Sequence, residues 1–147
     1  MIRIIALVLA SILFAPDLAQ AKPKPAKSEY FTTVGAGFGV EKGKGLYYAM
    51  TYQISKSIGT TMYGTVTFQN PSDKKNSFVV DVVINPGGEE VLVQSPIFNR
   101  IKNDKNYRVE FELYESESRE KRVNRHVDKV NFSLPAPLAM QMGIELL

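Results

Sequence analysis

From Leu46 onward the chain alternates. Leu46, Tyr48, Met50, Tyr52 and Ile54 fall on one side of an extended segment and Tyr47, Ala49, Thr51 and Gln53 on the other, the two-residue period of a β-strand. Met62, Gly64, Val66 and Phe68 repeat it, with Thr61, Tyr63, Thr65, Thr67 and Gln69 outward. A turn from Asn70 to Asn76 leads to Phe78, Val80, Val82 and Ile84, and Asn85-Pro86-Gly87-Gly88 ends that strand. Its other side, Val79, Asp81 and Val83, carries little polarity, which predicts cover on both faces. Val91 to Val93 is a short strand closed by Ser95-Pro96. Tyr107, Val109, Phe111 and Leu113 then face inward against Arg108, Glu110, Glu112 and Tyr114. A charged hairpin loop from Glu115 to Arg122 precedes Val130, Phe132 and Leu134. The set Leu138, Met140, Met142, Ile144 and Leu146 predicts a final strand whose edge could pair with another subunit.

About seven turn-punctuated strands without a helical stripe predict an all-β protein, an antiparallel β-sandwich. It would span Leu46 to Leu147, 147 − 45 = 102 residues. The competing all-β reading is a small outer-membrane β-barrel, which wants more strands with an apolar outward band. Upstream, the glycines of Gly35-Ala36-Gly37-Phe38-Gly39 and Gly43-Lys44-Gly45 predict a mostly irregular stretch from Ser28 to Gly45. Lys22-Pro23-Lys24-Pro25-Ala26-Lys27 predicts an extended, hydrated arm.

The first residues have another logic. Arg3, the apolar run Ile4 to Phe14 and the small-x-small pattern Ala19-Gln20-Ala21 read as a cleavable export signal over residues 1–21, with Pro16 and Asp17 ending the run short of a bilayer span. The chain has no cysteine. That removes disulfides, thiolate metal sites and cysteine nucleophiles, and weakly favours a bacterial envelope, periplasmic or secreted protein. The net charge of +3 sits in residues 22–44, where five lysines meet two glutamates; Gly45 to Leu147 balances 12 basic against 12 acidic residues.

The stretch Ile101-Lys102-Asn103-Asp104-Lys105-Asn106-Tyr107-Arg108-Val109-Glu110-Phe111 resembles the turn and following strand of fibronectin type III and other immunoglobulin-like domains. An apolar residue precedes a polar turn, and a tyrosine opens an alternating strand. The resemblance implies an immunoglobulin-like sandwich and a tyrosine corner at Tyr107, its ring in the core and its hydroxyl on upstream backbone. The usual proline of that turn is missing, as are the Trp and Cys pair of antibody domains.

Candidate chemistry is sparse. His126 is the sole histidine, and Asp128 shares its strand face. No Gly-x-Ser-x-Gly context accompanies it, so a solvent-facing strand histidine is the expectation. Glu110 and Glu112 share a face, as do Glu115 and Glu117, but cations at Lys121, Arg122, Arg125 and Lys129 would pair with them across strands. Gly35-x-Gly37-x-Gly39 lacks the spacing and helix of a dinucleotide loop. No catalytic residue, metal or cofactor is expected, and export argues against nucleic acid.

Tyr47, Tyr63 and Tyr114 point away from the main core face, as partner-binding anchors or under the glycine-rich segment. The expected function is therefore a non-enzymatic, exported module that binds another envelope or extracellular protein. The alternative is attachment to anionic lipid or cell-wall polymer through Lys22, Lys24 and Lys27, aided by Arg119, Lys121, Arg122 and Arg125.

Overall fold

The structure, a computed structural model, describes residues 26–147. The signal with Ala19 and Ala21, and Lys22 and Lys24 of the arm, lie outside the described residues. The strands are β1 (Phe31–Glu41), β2 (Gly45–Ile54), β3 (Met62–Phe68), β4 (Phe78–Ile84), β5 (Glu90–Gln94), β6 (Arg100–Ile101), β7 (Lys105–Tyr114), β8 (Arg122–Phe132) and β9 (Glu145–Leu146). Among the described residues one short helix, α1, spans Ala136–Gln141. Two antiparallel sheets dominate, ordered β1-β2-β5 and β4-β3-β7-β8, while β6 and β9 form a small parallel pair. The fold is all-β and sandwich-like, with about 55% of the described residues in strands. Its strands form separate sheets, not a closed barrel, so the outer-membrane barrel is not what this chain builds.

The alternation of sequence becomes the core directly. Leu46, Tyr48, Met50 and Tyr52 of β2 are buried against Val66 and Phe68 of β3 and Val109, Phe111 and Leu113 of β7 in one apolar cluster. Rings bridge the two sheets: Phe31 of β1 stacks on Phe111 of β7 at 4.4 Å between centroids, and Tyr48 meets Phe68 at 5.1 Å. Gly64 sits where the Phe111 ring comes too close for a Cβ, so the strand carries its one residue without a side chain at that contact.

Two elements depart from expectation. The stretch Ser28 to Gly45 is not mostly irregular: β1 occupies Phe31–Glu41 and pairs with β2 throughout, with a bulge between Thr33 and Gly35. Its period of two was present all along, with Ala36, Phe38 and Val40 opposite core residues Met50, Tyr48 and Leu46, and glycines on the outer face. The low strand propensity of glycine hid it. At the other end, Leu138 to Leu147 does not form a strand with a free edge. Pro137 stands in the first turn of α1, where its missing N–H is harmless. Only β9 remains extended, bound to β6. The outward side of β4 is not covered either, since Val79 and Val83 are 59% and 60% exposed.

Tyr107 opens the inner face of β7, fully buried, and its hydroxyl donates to the Lys102 carbonyl at 2.7 Å and accepts from the Lys102 amide at 2.9 Å. The intervening turn is anchored to the end of β8. Asn103 exchanges side-chain bonds with the Leu134 backbone, and the Ser133 hydroxyl donates to Asp104. Tyr107→Phe leaves both Lys102 backbone groups without this partner and is expected to cost about 1 to 3 kcal/mol in urea unfolding. An unchanged midpoint would show that the hydroxyl does not hold the turn.

Candidate functional site

Two places concentrate side chains that are more than packing. The first is buried. β8 places Val130 and Phe132 in the core, and the same period run backwards places Asp128 and His126 inward beside them. His126 is therefore not solvent-facing: it is 1% exposed, enclosed by the edges of Phe31 and Tyr52. A polar ring in an apolar layer is tolerated only with its hydrogen bonds met. Those bonds come from β1 and the segment before it. Ser28 Oγ lies 2.7 Å from His126 Nδ1, and Thr33 Oγ1 lies 2.7 Å from Nε2. Thr33 Oγ1 also donates to Asp128 Oδ2 at 2.7 Å, Asn124 Nδ2 donates to Ser28 Oγ at 3.1 Å, and the Ala26 amide donates to Asp128 Oδ1 at 3.3 Å.

A carboxylate only accepts, so the Thr33 hydroxyl proton points at Asp128 and Thr33 must accept from Nε2–H; Nε2 also lies 3.3 Å from Asp128 Oδ2. On the other side of the ring Ser28 Oγ accepts from Asn124 and shares a hydrogen bond with Nδ1, with the Phe31 carbonyl 3.5 Å away as a further acceptor. The chain fastens residues 26–33 to β8 along the seam where β1 and β8, outer strands of opposite sheets, meet. Outside the cluster Lys56 adds a second tie, 2.6 Å from Glu29 and 4.8 Å from the Tyr30 ring centre. Lys27 is exposed.

One atom of the cluster is unmatched. The Tyr52 hydroxyl is buried with no hydrogen-bond partner. Burial, and then the charge of Asp128, push its phenol well above the ordinary value. Ser28 and Thr33 could not have been read as partners of His126, because they lie more than ninety residues away; the inward placement of His126 and Asp128 was legible from their spacing to Val130 and Phe132.

The second place is the outer face of the larger sheet. Register sets Val83, Tyr63, Tyr114 and Arg122 in one row across β4, β3, β7 and β8. The next rows are Asp81, Thr65, Glu112, Arg125 and Val79, Thr67, Glu110, Val127. Tyr63 and Tyr114 are half-buried neighbours, and the Tyr114 hydroxyl donates to Glu112 at 3.1 Å. Tyr47 is not among them. It lies on the other sheet, 7% exposed, with its ring over Gly39, where a Cβ would collide with it. The glycine-rich segment covers it.

Charges on this face pair off. Glu110 takes Arg125 and Arg108, the latter at 2.9 Å; Glu112 takes Arg122 at 3.0 Å; Asp81 takes Arg119 at 3.4 Å; Glu115 takes Lys121 at 3.5 Å. Arg119 adopts φ 55° while its guanidinium bonds Thr65 on β3. The cations expected to aid polyanion binding thus each face an acid. Glu110 and His126 lie on opposite faces of the sheet and share no cleft. Among the described residues no three His, Asp or Glu gather as a metal site.

Comparison with family models, curated proteins and solved structures finds no match to this chain.

Thr33→Val keeps the shape but breaks the chain of bonds at its centre, and is expected to lose about 2 to 3 kcal/mol in urea unfolding. Tyr52→Phe deletes the unmatched hydroxyl and is expected to gain about 1 kcal/mol; a loss of that size would mean the hydroxyl has a partner. The Arg125 hydrogen bond, opposed by partial burial and joined by Arg108, holds the Glu110 carboxyl below its usual range. A depressed carboxylate stabilises above its unfolded value, and the effect disappears as pH falls through the lower folded value. The stability gap between the parent and Glu110→Gln should therefore be widest near neutral pH and close in acid, measured as urea midpoints across pH.

Proposed function

We propose that this protein is an exported binding module of immunoglobulin-like architecture that engages another envelope or extracellular protein through the outer face of its four-stranded sheet. The observation that carries this is the row Val83, Tyr63, Tyr114, two adjacent half-buried tyrosines beside an exposed valine on a face whose charges are paired. Such a row offers ring area at low entropic cost, and its paired charges form a polar rim. The immunoglobulin-like reading draws on strand order. In constant-type domains the first, second, fourth and fifth strands share one sheet, and the third, sixth and seventh share the other. Counting the seven long strands, β1, β2 and β5 stand against β3, β7 and β8 here, with the fourth strand, β4, on the second sheet instead. The Tyr107 bonds to Lys102 support it further.

The basic arm is the lesser reading, since the hairpin cations that were to assist it are met by acids. Export rests on the signal pattern of residues 1–21.

The test is capture from envelope extract by the exported chain, whose sequenced N-terminus is expected at Lys22. Tyr63→Ser with Tyr114→Ser should weaken retention of a specific protein by ~10-fold or more, in line with loss of aromatic anchors, while thermal unfolding changes little. Retention that the double variant leaves intact would remove the face from the account.

A further inference from the structure

β4 is the outer strand of the larger sheet, and among the described residues no backbone group outside β3 bonds to it. Its core-facing Phe78, Val80 and Val82 are only half-buried, whereas Val66 and Phe68 on β3 and Phe111 and Leu113 on β7 are sealed. Its outward Val79 and Val83 are the exposed valines described above. Ile84 at its end is buried and Phe78 stacks on Phe98, but along the middle the strand is incompletely covered, and apart from Asp81 it is apolar on both sides. Native edges are blunted by lysine, proline, bulges or great shortness. β4 has seven residues, none of them lysine or proline, and pairs with β3 without a break in register. Its single charge, Asp81, is met by Arg119 from its own chain.

We propose that β4 pairs antiparallel with β4 of a second copy of this chain, joining two four-stranded sheets into one across a two-fold axis. Charge and pattern favour a like strand. The one charge on this edge, Asp81, is paired within its own chain and the rest of the strand is apolar on both faces, so a matching strand brings apolar cover and no unpaired charge. β4 with its Arg119 is such a strand, and an isologous contact is self-complementary. Like-facing residues must oppose one another. The fully overlapping register would set Asp81 against its own copy, a destabilising like-charge pair. Centring the axis on Val80 or Val82 sets Asp81 opposite Val79 or Val83 instead. The open backbone groups then gain partners, and the half-buried Phe78, Val80 and Val82 gain cover.

This contact uses the backbone edge of β4 and not the rings of Tyr63 and Tyr114, so variants at Val80 or Val82 and variants at the tyrosines test the two ideas separately. Sedimentation of the purified chain across concentrations should show a reversible dimer. Val80→Lys puts a cation where the partner strand would cover it and should weaken the dimer by ~10-fold or more; Val34→Lys, at an exposed position of β1, should not. Because Val80→Lys also touches the rim of the core, cysteine variants give an independent reading in a chain without native cysteines. On mild oxidation either Val80→Cys or Val82→Cys should crosslink into a dimer, and Leu92→Cys on β5 should not. A chain that stays monomeric throughout overturns the proposal, as does a dimer that Val80→Lys leaves intact and neither cysteine crosslinks. A monomer whose β4 variants lose a captured protein would overturn it too, assigning the edge to a foreign strand.

Discussion

A three-stranded sheet has to cover a four-stranded one. Burying the apolar side of every strand is what holds a domain without cysteine together, and unequal layers cannot do so evenly. On the inner strands β2, β3 and β7 the match is close, with Tyr52 against Phe111 and Tyr48 against Phe68 across the gap. The two long margins of the sandwich take the mismatch in opposite ways. At one margin β1 is drawn against β8 by hydrogen bonds. At the other β4 is left with apolar side chains that nothing in the opposite sheet fully covers.

The margin between β1 and β8 explains why a histidine and an aspartate sit inside an apolar layer. Two buried polar groups add stability only when each finds a partner, and specificity for one docking arrangement is the return. Here the partners are the hydroxyls of Ser28 and Thr33, so the segment before β1 can seat in one way: a shift of one residue would turn Thr33 outward and strand His126. The arrangement brings a serine, a histidine and an aspartate together, yet the ring is sealed by Phe31 and Tyr52. What the geometry accomplishes is fastening. The outer surface interleaves acids and bases in rows, so that the half-buried tyrosine pair and the exposed valines of β4 are its main uncharged features.

Much of this is legible in the sequence. Period two located β2, β3, β4 and β7 and the inner residues of each, because a strand with one buried face must alternate; β5 was legible as a short apolar strand without a face. The link between Tyr107 and the turn before it was legible too, since it is local. The misreadings have local causes. Glycine carries no hydrophobic signal and low strand propensity, so the alternation of Ala36, Phe38 and Val40 in β1 went unseen. Leu138 to Leu146 satisfied the period of a strand, but Pro137 at a helix start and the short α1 set the outcome. His126 was expected in solvent because a polar residue ordinarily is, although its spacing to Val130 pointed inward.

The sequence by itself thus determined the class of fold, the composition of the core and the placement of charge, all of which depend on residues near one another along a strand. Only the tertiary structure decided which strands are neighbours, that His126 is bonded through Thr33 and Ser28, that Gly39 covers Tyr47, and that Tyr63 and Tyr114 stand side by side. Those facts depend on strand order and register between segments far apart in the chain, and the two-residue period is the same in every strand, so it says which side faces in and not which strand lies next to it.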